Sequence, residues 1–73
     1  MSDVTIHIDE TLDATALLAL QQDLVRMKGV EHVDAAREHP HLMVVRYDNQ
    51  RLDSGTILSE CYDHGYHAEL IGF

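Results

Sequence analysis

The stretch VTIHIDETLDATALLALQQDLVRMKGVEHV, residues 4–33, changes its periodicity once, and that change decides the fold. From Val4 to Ile8 apolar and polar residues alternate, so Val4, Ile6 and Ile8 face one way, as in a half-buried strand. From about Asp13 to Lys28 the apolar spacing becomes three and four. Leu17, Leu20, Leu24 and Met27 then make one stripe, with Gln21, Gln22, Asp23 and Arg26 off it. Asp13 or Thr11 can cap the start of this helix, and Lys28-Gly29 reads as its stop.

The rest of the chain repeats the pattern. Val33 and Ala35 alternate with Asp34 and Ala36 in a second strand, His32 to Glu38. Glu38-His39-Pro40-His41 is a turn signal, and Leu42 to Tyr47 is rich in branched and aromatic residues, so the two segments predict a hairpin. Asp53 or Ser54 caps a second helix with the stripe Ile57, Leu58 and Cys61, ending near His64 at Gly65. His67 to Phe73 alternates again, with Ala68 and Leu70 on one face. The predicted order is β-α-β-β-α-β. This is the α+β, ferredoxin-like plan: a four-stranded antiparallel sheet with two helices on one face. The 73 residues, 1–73, make a single domain.

Composition narrows the function. Thirteen acidic residues against five basic ones give a formal charge of −8, the opposite of a nucleic-acid footprint and repelled by an anionic membrane. Such acidity favours cations or basic partners, and it also maintains solubility. No signal peptide and no apolar run of membrane-spanning length is visible, and a single cysteine forms no internal disulfide; the expectation is a soluble cytoplasmic protein without membrane insertion. Enzyme chemistry has no motif to rest on. There is no glycine-rich phosphate loop and no nucleophile–base–acid set. An acylphosphatase-like hydrolase on the same plan needs an arginine-bearing phosphate loop, where residues 9–16 offer acids instead.

Gly29-Val30-Glu31-His32-Val33, then Val45-Arg46-Tyr47-Asp48, then Ile57, Leu58, Cys61 and Gly65 to Leu70, in this order and spacing, together resemble the heavy-metal-associated domain of copper chaperones and metal-pumping ATPases. Gly29-Val30-Glu31-His32-Val33 is similar to that family's turn after its first helix. Val45-Arg46-Tyr47-Asp48 is similar to its third strand. Ile57, Leu58, Cys61 and Gly65-Tyr66-His67-Ala68-Glu69-Leu70 are similar to its second helix and last strand. The match runs from about Val4 to Leu70. The family's metal motif, methionine-any-cysteine-any-any-cysteine, falls on Thr11 to Ala16 by counting back from Gly29, and its two cysteine positions hold Asp13 and Ala16. The resemblance thus implies a metallochaperone-like domain whose thiol pair is absent. Soft Cu(I) is selected by thiolates, so tight linear Cu(I) binding is not expected.

Any ion must then be held by nitrogen and oxygen. The chain has six histidines, whose full protonation would raise the formal charge from −8 to −2. The plan places Asp13, His64 and His67 at the end where the family carries its metal, and this trio is the expected site for a borderline divalent ion, Zn(II), Ni(II) or Cu(II). Each residue also has an ordinary role. Asp13 is a helix cap, His64 complements a helix C-terminus, and His67 and His7 pair across strands with Asp9 and Glu69. His39-Pro40-His41 offers two more imidazoles at the hairpin tip, and Cys61 reads as a small core hydrophobe.

Two functions follow. One is a metal-ion binding or trafficking accessory with His/Asp ligands. The other is a metal-free interaction or regulatory module, pairing with a protein partner or as a homodimer through an open sheet face of Thr5, His7, Val44, Arg46, Glu69 and Ile71.

Overall fold

The computed structural model describes residues 2–35, 39 and 41–72. The elements are β1 (Ser2–Ile8), α1 (Ala14–Val25), β2 (Val30–Asp34), β3 (Leu42–Tyr47), α2 (Ser54–Asp63) and β4 (Ala68–Gly72). The strands form one antiparallel sheet in the order β2-β3-β1-β4. The expected continuation of the second strand over residues 36–38, and Pro40 of the turn, lie outside the described residues. Leu42 N–H donates to His39 O at 3.0 Å, as a tight connection requires.

Alternation in the strands sorts residues onto two faces. Val4, Ile6 and Ile8 of β1, Met43, Val45 and Tyr47 of β3, Val33 of β2 and Ala68 of β4 are buried. They pack in one cluster with Leu17, Leu20 and Leu24 of α1 and with Ile57 and Cys61 of α2. Both helices therefore cover the same side. The other side carries Thr5, His7, Val44 and Arg46, and Arg46 Nε donates to its cross-strand neighbour Asp3 Oδ1 at 2.9 Å.

Both helices start on an aspartate. Asp13 Oδ1 accepts from Ala16 N at 2.7 Å, and Asp53 Oδ1 accepts from Thr56 N at 2.8 Å. Each carboxylate satisfies an amide left free at the helix start and complements the dipole. The end of α1 differs from expectation. The helix stops at Val25 with Arg26 as C-cap, three residues short of Lys28. The chain then turns through Met27, whose carbonyl accepts from Val30 N at 3.1 Å, and Gly29 adopts φ +98° to enter β2.

Gly29 and Gly65 both occupy the left-handed region, and their surroundings separate them. A Cβ on Gly29 would lie 3.1 Å from Leu52 Cβ, whereas one on Gly65 would meet nothing within 4 Å. Gly29→Ala therefore adds a clash to backbone strain and should cost about 2–3 kcal/mol, against about 1 kcal/mol for Gly65→Ala. Urea denaturation of the two variants checks the order.

Candidate metal centre

β1 runs into α1 through Asp9, Glu10, Thr11, Leu12 and Asp13. Leu12 is buried and pins this loop to the core. Backbone bonds tie the end of β1 on both sides. Ile8 N–H donates to His41 O at 2.8 Å, and Asp9 N–H donates to His67 O at 2.8 Å. Three histidines consequently meet the β1 terminus: His7 on the strand, His41 ahead of β3 and His67 ahead of β4.

The three residues expected to share a metal have separate partners. Asp13 caps α1 through Ala16. His67 is clasped by Glu10, whose Oε2 lies 2.6 Å from Nδ1 while Oε1 accepts the His67 backbone N–H at 2.8 Å. The cross-strand expectation had given His67 to Asp9; the neighbouring Glu10 has the longer side chain and reaches both His67 donors. His64 is the C-cap of α2, and its Nε2 lies 2.7 Å from Asp23 Oδ2 on α1 and 3.7 Å from Glu60 Oε2 one turn back. Its ring stacks on Tyr66, with centroids 6.0 Å apart.

Among the described residues, two groups bring a histidine nitrogen and two carboxylates within 4.8 Å of one another: Asp23, Glu60 and His64, and His7, Asp9 and Glu69. Of the expected trio only His64 belongs to either. The first group joins α1 to α2, and spacing along the chain reveals only its Glu60–His64 half. In the second, His7 Nδ1 lies 3.4 Å from Asp9 Oδ1 and 3.8 Å from Glu69 Oε1. His7 and Glu69 are register partners, as their cross-strand pairing anticipates. The addition of Asp9, two residues along the same face, turns that pair into a convergent set. His39 is exposed at the turn, and His41 Nδ1 donates to Ile8 O at 2.8 Å, so its ring is held against the β1 terminus.

Cys61 offers no substitute for the missing thiol pair. It is fully buried, and desolvation, reinforced by the charge of Glu60, pushes its thiol up to about 11. A soft metal needs thiolate, which this site disfavours at neutral pH.

The Glu10–His67 clasp has a pH signature. The His67 ring and backbone N–H hold the Glu10 carboxyl below its usual 4.5, and the hydrogen bond and charge of Glu10 hold His67 above its usual 6.5. The contribution of the clasp to stability is complete between pH 4.5 and pH 6.5. It is lost as pH rises through the raised His67 value and as it falls through the lowered Glu10 value. An NMR titration of His67 should give a midpoint above 6.5, and Glu10→Gln should bring it back down.

No protein-family model matches the sequence, and no curated protein matches it either. Solved structures do. A copper binding domain from HMA7, a P-type ATPase, is similar at TM-score 0.89 and 19% identity, over 99% of this chain and 96% of that one. Oxidized MerP from Ralstonia metallidurans CH34 is similar at TM-score 0.84 and 19% identity, over 94% of each chain. The yeast copper transporter domain CCC2A is similar at TM-score 0.84 and 20% identity, over 94% of this chain and 93% of that one. From end to end, this chain has the fold of heavy-metal-associated domains, built without their pair of cysteines.

Proposed function

We propose that this protein is a cytoplasmic metal-ion accessory of the metallochaperone type, holding a borderline divalent cation with imidazole and carboxylate and presenting it to a protein partner. The observation that carries the reading is the pair of His–carboxylate groups, on a fold whose solved relatives include copper-binding and copper-transporting domains. Such donors suit Zn(II), Ni(II) or Cu(II) rather than Cu(I). The formal charge of −8 also raises the local concentration of cations. Of the three expected residues, His64 stands in one of these groups, with Asp23 and Glu60, and Asp13 and His67 stand in neither. Asp13 Oδ1 and His67 Nδ1 are engaged by Ala16 and Glu10, which leaves Asp13 Oδ2 and His67 Nε2 as their donor atoms.

A second reading, a metal-free interaction module, draws on the open sheet face. Val44 and Ile71, on the strands either side of β1, are 39% and 52% exposed. Paired through that face, two copies or a partner would cover them. Sedimentation velocity that finds only monomer at high concentration counts against the homodimer form of this reading.

Isothermal calorimetry at neutral pH with Zn(II), Ni(II) and Cu(II) is the direct test of the metal reading. Saturable binding of one ion per chain is expected, weakening below about pH 6 because protons compete for imidazole nitrogen. Absence of saturable binding for all three ions refutes it.

A further inference from the structure

We infer that His7, Asp9 and Glu69 form the primary divalent-cation site, a tetrahedral Zn(II)-type site at the end of β1 whose fourth position is open to a partner. The inference rests on the metal-accessory reading and narrows it to one place and one donor set.

The two His–carboxylate groups differ in what their nitrogen already does. His64 Nε2 sits 2.7 Å from Asp23 Oδ2, the separation of a formed hydrogen bond, so a metal would have to break that bond first. His7 Nδ1 is inaccessible to solvent yet has no hydrogen-bond partner among the described residues, although two carboxylates face it. A buried polar atom in that state carries an uncompensated desolvation cost. A cation between the three side chains accepts the nitrogen lone pair and removes that cost.

The spacing fits a metal better than a proton. Zinc bonds to imidazole nitrogen and carboxylate oxygen are about 2.0–2.2 Å, so two donors on a tetrahedral edge lie about 3.4 Å apart. The observed separations from His7 Nδ1 are 3.4 Å to Asp9 Oδ1 and 3.8 Å to Glu69 Oε1. Charge agrees as well, because two carboxylates and a neutral imidazole balance one divalent ion.

The surroundings prepare the imidazole and leave the carboxylates free. The His7 ring stacks on His41, with centroids 5.9 Å apart and planes at 20°. The hydrogen bond from His41 Nδ1 to Ile8 O holds that supporting ring in place. His41 is thus a positioning residue. Asp9 and Glu69 are 65% and 68% exposed, against 35% for His7. A site with one ordered and two solvent-facing donors loads and unloads readily, and three protein ligands leave the fourth position for water or a donor from a partner.

The test uses the whole chain, with Zn(II) in calorimetry and Co(II) as its optical probe. Wild type should bind one ion per chain, with the intense visible bands of tetrahedral Co(II), and Zn(II) should move the ring-nitrogen resonance of His7 Nδ1. His7→Gln and Glu69→Gln should each weaken Zn(II) by more than about tenfold, since even an outer-shell partner is worth that much. His64→Gln should leave affinity unchanged. Glu69 is exposed, so Glu69→Gln keeps the test valid should His7→Gln fail to fold. Loss of binding in His64→Gln with retention in Glu69→Gln overturns this site and leaves the accessory reading standing. No binding by wild type ends both.

Discussion

β1 is flanked by β3 on one side and β4 on the other, and the rest of the structure depends on this central strand keeping its register. Because strand side chains alternate, Val4, Ile6 and Ile8 can be sealed beneath the helices only if Thr5 and His7 face the opposite side. A slip by one residue would bury an imidazole and expose three large apolar groups. The core therefore fixes His7 without touching the chemistry of His7. The same register sets Glu69 opposite it, and the strand's last step delivers Asp9.

A second constraint acts at the start of α1. A helix N-terminus carries unpaired amides and partial positive charge. Thiolates can answer both in a metal-binding loop. Here Asp13 does so alone, with the same geometry as Asp53 at the start of α2. The carboxylate that the resemblance puts in a ligand position holds its helix through one oxygen, Oδ1. The two groups of imidazole and carboxylate lie on the strands and between the helices.

Much of this was readable from residue order. The branched and aromatic residues of Leu42 to Tyr47 give the bounds of β3, and the aspartate caps and Gly65 delimit α2 to within a residue. The end of α1 falls earlier than Lys28-Gly29 suggests, because that pair marks the turn into β2, while the last four-residue helical bond is the one Arg26 N–H donates to Gln22 O. The site was harder, for a physical reason. Cross-strand neighbours follow from register, so the proximity of His7 to Glu69 could be anticipated. Partners from different layers do not follow from spacing. Nothing near His64 in sequence points to Asp23, which reaches it across the interface between α1 and α2. Nor does alternation decide between Asp9 and Glu10 for His67; side-chain reach does.

The burial of Cys61 has a consequence for the conditions under which such a protein can work. A thiolate metal site is vulnerable to peroxide and to mixed disulfide formation, because the sulfur that grips the ion is the sulfur that oxidises. This chain keeps its single thiol sealed in the core and protonated, and the donors it leaves at the surface are nitrogen and oxygen. Those donors contain no sulfur to oxidise, so their hold on a redox-inert ion such as Zn(II) would not be destroyed by oxidation of the protein. Acidification, rather than oxidative stress, would be the signal that makes it let go.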